Sequence, residues 1–247
     1  MTSTALLLSG RTMKRFLRTP PLIIIAFVFP VVLMFTILPL YGGLIEDDYI
    51  QRLAPLIVLS TATFGMAPSA AGLYADFRAG IFNRLRTMPI SAASTVAGRI
   101  VGEVLRIVAV AVVAIAVAHI PGFRFTAGPA GVLGFFCVVA VFGAMCTSVS
   151  LLVALTGPDE DTVQSALGTP ATLAFFLSSG FIPVTAFPGW IQPVVRVNPL
   201  STASEALIGL TGGGPVAAPL LQTLAWAVGL GGLCALLSVR AYRRRAR

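Results

Sequence analysis

Lysine is almost missing from this 247-residue chain, with Lys14 the only one. A P-loop nucleotide site needs a lysine after a glycine-rich turn, and no GxxxxGK[ST] occurs, so ATP-driven work requires another chain. Histidine is equally scarce. His119 stands alone on a short turn, which leaves no Ser-His-Asp arrangement and no HExxH zinc motif. The three cysteines, Cys137, Cys146 and Cys234, lie singly inside apolar runs without a CxxC partner. They read as buried small hydrophobes, so neither disulfides nor a metal site is expected. Charge is scarce as well, at 11% of residues.

What fills the chain instead is apolar surface, with 57% hydrophobic residues and a mean hydropathy of +0.93. Several uncharged runs reach the roughly 20 residues that cross about 30 Å of hydrocarbon. The pattern predicts an all-α polytopic membrane protein forming one transmembrane permease-like domain over residues 1–247. The net charge of +8 could suit nucleic acid, but the basic residues stand at the ends of apolar runs. They read as topology signals and contacts to anionic membrane lipids, with no nucleic acid involved.

In chain order, residues 4–18 form an uncleaved interfacial helix. Arg11, Lys14, Arg15 and Arg18 share one face, and Leu6, Met13, Phe16 and Leu17 lie opposite. Six spans follow, over residues 22–40, 54–73, 91–118, 130–155, 162–182 and 216–239. Pro30 kinks the first, and Glu46, Asp47 and Asp48 make an acidic outer loop. Twelve of the 17 basic residues fall in the N-terminal helix, in residues 76–90 or in the tail from Arg240 to Arg247. By the positive-inside rule both termini and the 76–90 loop are cytoplasmic.

Two stretches depart from plain spans. Arg99, Glu103 and Arg106 lie in the inner half of the third span, within about 60° of one another around the helix. Facing lipid near midplane each would cost roughly 2.5–3.5 kcal/mol, so this charge cluster faces protein or the inner interface, with Glu103 paired to an arginine. A structural ion pair and a role in a transport path both fit. Residues 183–214 are broken by Pro183, Pro188, Pro193 and Pro199 yet kept apolar by Phe187, Trp190, Ile191 and Val194. Trp190 suits the headgroup layer. The segment reads as re-entrant or interfacial half-helices at the outer face between spans five and six.

The polar island of residues 76–90 holds Arg78, Arg84 and Arg86 against the single acid Asp76. Ile81, Phe82 and Leu85 fall at helical spacing, and Pro89 ends the pattern. It is either a basic loop that orients the protein or a docking helix offering apolar knobs to a cytoplasmic groove.

Three groups of residues carry a family resemblance. They are Asp76, Gly80, Leu85 and Pro89; the run Leu177-Ser-Ser-Gly-Phe-Ile-Pro183 with Phe187-Pro-Gly-Trp-Ile-Gln192; and Asn198-Pro-Leu-Ser201 followed by Glu205. On these the chain resembles the membrane-spanning subunit of type-2 ABC exporters, in particular the daunorubicin-resistance and lipid-export permeases. The resemblance implies a dimer with a second permease copy or paralogue, seated on two cytoplasmic ABC ATPase subunits in the bacterial inner membrane. Such a dimer exports a lipid or an amphipathic drug. ATP and Mg would be bound by the partner, and no cofactor by this chain. Asp76, Gly80, Phe82, Arg84, Leu85 and Pro89 would form the coupling helix. Gly180, Pro183, Pro188, Trp190, Asn198, Pro199 and Glu205 would shape the outer gate. One departure stands out. Relatives often carry an arginine shortly after the acid, where this chain has Ile208 and Gly209. Without the resemblance, a secondary transporter or an intramembrane enzyme is the alternative. The first normally keeps ionisable groups at midplane, whereas here they cluster towards the inner end of one helix.

Overall fold

The computed structural model describes residues 20–45, 48–78, 92–212 and 214–245, and among these every regular element is helical. The interfacial helix expected over 4–18, the acids Glu46 and Asp47, and the coupling residues Gly80, Phe82, Arg84, Leu85 and Pro89 lie outside the described residues. Asp76 falls within a helix that runs on to Arg78.

Helix α1, Pro20–Ile45, carries Pro30 and Pro39 inside it. Helices α2, Tyr49–Phe64, and α3, Met66–Arg78, are separated only by Gly65, whose φ of −68° and ψ of −14° stay helical. They continue as one rod. Next come α4, Ala92–Ala118, α5, Gly128–Thr156, and α6, Glu160–Phe176. A 3-10 turn at Val184–Ala186 leads to the short α7, Gln192–Val197, and to α8, Pro199–Gly212. Last are α9, Ala217–Trp226, a π turn at Ala227–Gly232, and α10, Leu233–Arg245. Among the described residues four stretches are long and apolar enough to cross a membrane: Tyr49–Ala75, Ala93–Ala118, Gly128–Thr156 and Ala217–Tyr242. A shorter apolar stretch runs over Phe27–Tyr41. The chain is an integral membrane protein built of helices.

Burial explains the arrangement. α2 is central, packed by α1, α4, α5, α6 and α8, and its Leu53, Leu56, Ile57, Val58 and Leu59 are all buried. A helix surrounded on every side has no reason to carry a polar face, and α2 is apolar over most of its length. The rod through α9 and α10 is peripheral instead, with Leu221, Val228 and Leu236 exposed, as lipid-facing positions are.

The fifth span departs from expectation. Hydropathy carries it to residue 182, but α6 ends at Phe176 and residues 178–182 fold back as a turn. Phe181 and Ile182 look like span residues because they are apolar, yet Phe181 is buried against Tyr41 and Phe175, at 5.4 and 5.7 Å between ring centres. Of the phenylalanines at 175, 176 and 181 only Phe176 is exposed, and Phe175 and Phe181 pack the interior.

Candidate functional site

Among the described residues polar side chains gather in three places, and the first two tie helices together. The first is the inner half of α4. Arg106 Nε donates to Glu103 Oε2 at 2.8 Å, and Arg99 Nη2 lies 3.6 Å from Glu103 Oε1. Spacings of three and four residues put these groups on one face. A neighbour joins from α3: Ser69 Oγ donates to Glu103 Oε1 at 3.1 Å, and Arg99 Nη2 donates to the Ser69 carbonyl at 3.2 Å. Glu103 itself is buried. Gly65 makes room for this cluster, because a Cβ there would come within 3.2 Å of Arg106 Nη2 and 2.6 Å of the Thr61 carbonyl. The i, i+3 and i+4 pairing is readable in sequence. The contributions of Ser69 and Gly65 are not, since nothing local marks them.

The second cluster lies where α2, α8 and the turn after α6 meet. Arg52 Nη1 donates to the Ser179 carbonyl at 3.0 Å and approaches Glu205 Oε1 at 3.5 Å. Tyr49 Oη donates to the Phe181 carbonyl at 2.9 Å. The Ser179 N–H donates to Ser201 Oγ at 3.0 Å. Asn198 Nδ2 donates to the Ala174 and Leu177 carbonyls, both at 2.8 Å, while its Oδ1 accepts from Leu200 N–H at 3.0 Å. One side chain thus closes the C-terminal end of α6 and starts α8, with Pro199 as the first residue of α8 where no N–H is needed. The far end of α8 is held too: the Thr211 carbonyl accepts from the N–H groups of Thr126 and Ala127, at 2.9 and 3.2 Å.

Gly180, Asn198, Pro199 and Glu205 therefore come together. Pro183 only opens the 3-10 turn, and Pro188 and Trp190 stay on the exposed connection, Trp190 at 80% exposure. No arginine follows Glu205 at Ile208 or Gly209, and the cation that Glu205 meets is Arg52 of α2. The sequence does not mark Tyr49 or Arg52, whose partners are far along the chain, and it offers Ser179 and Ser201 only as members of the family runs.

The third place is the exposed face of α6. Gln164, Ser165, Gly168, Thr169, Thr172 and Leu173 line an open groove of about 440 Å³. The opposite face, Val163, Leu167, Ala171 and Phe175, is buried. At the start of α6, Asp159 caps the helix by accepting from the Thr162 N–H at 2.7 Å and the Thr162 hydroxyl at 2.9 Å. These bonds hold its carboxyl below the usual carboxylate range. A lowered folded-state pKa contributes stability that is present above the unfolded value and lost as pH falls through the folded one. Asp159→Ala should lower the thermal midpoint at neutral pH, and the gap to wild type should narrow below about pH 4. A gap that stays constant down to acid pH would show that the ionised cap is not its cause.

A helical membrane protein whose polar groups join helices and line an exposed groove is the class these features define. The chain belongs to the ABC-2 type transporter family, whose model matches residues 4–211. It is 31% identical, over 97% of its own length and 88% of the relative's, to a protein of Mycobacterium tuberculosis described as "Probable doxorubicin resistance ABC transporter permease protein DrrC". It is 29% identical to the daunorubicin resistance ABC transporter permease of Streptomyces coeruleorubidus, covering 95% of this chain and 84% of that one. The doxorubicin resistance permease DrrB of Mycobacterium tuberculosis is 27% identical over 79% of this chain and 70% of its own. The chain is accordingly the membrane subunit of an ABC transporter and not an enzyme.

Proposed function

We propose that this permease exports an amphipathic drug-like molecule or a lipid, driven by ATP hydrolysis on two separate cytoplasmic ABC ATPase subunits that bind the ATP and Mg. Similarity to drug-resistance permeases along almost the whole chain is the observation that carries the reading. In this reading the protein sits in the bacterial inner membrane with six spans and both termini cytoplasmic, as the distribution of its basic residues implies. Residues 76–90, entered from α3 and left into α4, are the coupling helix. The α7–α8 pair with the turn after α6 is the re-entrant outer gate.

The α6 groove supports a dimer. Exposed positions on α4, α9 and α10 are mostly apolar, as at Leu105, Val112, Leu221 and Leu236, with Gln222 and Arg240 as polar exceptions, whereas the exposed face of α6 gathers an amide and several hydroxyls in one groove. Such a face is costly against hydrocarbon and favourable against a second permease or a path shared with it. Either a second copy or a paralogue meets that need.

The test is drug accumulation. Cells expressing the chain with its cognate ATPase subunit should hold several-fold less doxorubicin than cells expressing the ATPase with no permease. Removing the ATPase should restore accumulation. Equal accumulation in the two strains, with permease and ATPase co-purifying from the membrane, would exclude drug export.

A further inference from the structure

The turn at residues 178–182 is held unusually hard for a loop between helices. Tyr49 and Arg52 of α2 hold the Phe181 and Ser179 carbonyls, and Ser201 of α8 holds the Ser179 N–H. There is no slack around it. A Cβ on Gly180 would meet Ser204 Oγ at 2.6 Å and Leu56 Cβ at 3.1 Å, so only glycine fits between α2 and α8.

Inside this seal two hydroxyls have no hydrogen-bond partner among the described residues, Ser179 Oγ and Ser204 Oγ, and both residues are fully buried. Their neighbours are satisfied. Ser178 Oγ accepts from the Gly180 N–H, Thr202 Oγ1 donates to the Pro199 carbonyl, and Thr211 Oγ1 to the Ile208 carbonyl. A buried hydroxyl without a partner loses its water and gains nothing in return, a loss comparable to what one good hydrogen bond contributes. The two orphans therefore oppose the contacts that hold the turn in place.

We propose that the 178–182 turn is a spring-loaded latch on the gate: Tyr49, Arg52 and Glu205 hold it shut, and the unpartnered hydroxyls of Ser179 and Ser204 drive it open. Withdrawal of the turn from α2 and α8 gives both hydroxyls access to water. It costs the bonds from Tyr49, Arg52 and Ser201 and the burial of Phe181, so the two orphans offset part of the hold and lower the cost of opening. The purpose of the latch rests on the exporter reading; its existence does not.

The test reads opening without cargo. In the full chain carrying Cys137→Ala, Cys146→Ala and Cys234→Ala, Ser179→Cys is a buried reporter that reacts with a membrane-permeant maleimide only when the turn withdraws. The reporter replaces the Ser179 hydroxyl itself, and adding Ser204→Ala removes the orphan hydroxyl that remains, so it should slow labelling about fivefold and raise the thermal midpoint. Adding Tyr49→Phe or Glu205→Gln weakens the hold and should speed labelling by about the same factor. The latch is overturned if Ser204→Ala leaves the labelling rate unchanged or raises it. It is equally overturned if neither Tyr49→Phe nor Glu205→Gln accelerates labelling. Doxorubicin uptake into inside-out vesicles containing the permease and its ATPase is measured separately. Uptake absent while labelling responds as described rejects drug export and leaves the latch standing.

Discussion

Glu103→Ala should fold poorly. The substitution leaves Arg106 and Arg99, both largely buried beside it, without the carboxylate they share. It also strands the Ser69 hydroxyl that donates to Glu103. Removing one partner of a buried ion pair commonly costs about 3–5 kcal/mol, because the remaining charge keeps its desolvation penalty and loses its compensation. Arg106 is the nearer arginine, at 2.8 Å against 3.6 Å for Arg99. Arg106→Ala added to Glu103→Ala should therefore recover more stability than Arg99→Ala added to it. Arg99 also bonds the Ser69 carbonyl, so its loss costs something of its own. Thermal midpoints of the purified single and double mutants give the coupling directly. If the Glu103 and Arg106 effects simply add, the pair contributes no coupling and the cluster is held by something else.

The next largest effect is expected at the 76–90 island, where the two readings of the sequence separate. As a coupling helix it presses Phe82 and Leu85 into a groove on an ATPase subunit, with Arg84 and Arg86 at the rim. Apolar anchors at the centre of such a contact carry about 2 kcal/mol or more each, whereas rim charges carry less. Leu85→Ala and Phe82→Ala should then lose most of the co-purified ATPase and of the cargo-stimulated ATP turnover, with membrane insertion intact. Arg84→Ala should be milder and act mainly at low salt. The frame behind the island suits this use. The helices that flank it, α3 and α4, are joined through Ser69, Arg99 and Glu103, and Tyr74 Oη donates to the Pro158 carbonyl at 2.7 Å. A push on the island would move a joined pair of helices and not a lone loop. Wild-type assembly and turnover in both apolar mutants would leave only a basic, orienting loop.

Much of this protein follows from its sequence alone. Long apolar runs with charge at their ends dictate a helical membrane protein, because a backbone in hydrocarbon must satisfy its own hydrogen bonds. With Lys14 its only lysine and no GxxxxGK[ST], the sequence holds no P-loop whatever the fold. The Arg99, Glu103 and Arg106 stripe was legible because its members are three and four residues apart, within the reach of one helical turn. The family resemblance was legible too, in the order of its loose motifs. The tertiary structure decided what joins residues far apart. Arg52 meets Glu205 across 153 residues, and Tyr49 meets Phe181 across 132. No periodicity encodes such pairs; they exist because α2 lies in the centre, against both α8 and the turn after α6. The early end of α6 has the same origin. Hydropathy counts Phe181 and Ile182 as span, but Asn198, 21 residues beyond Leu177, caps the helix from outside, and Phe181 is apolar because it is buried against the helices around it.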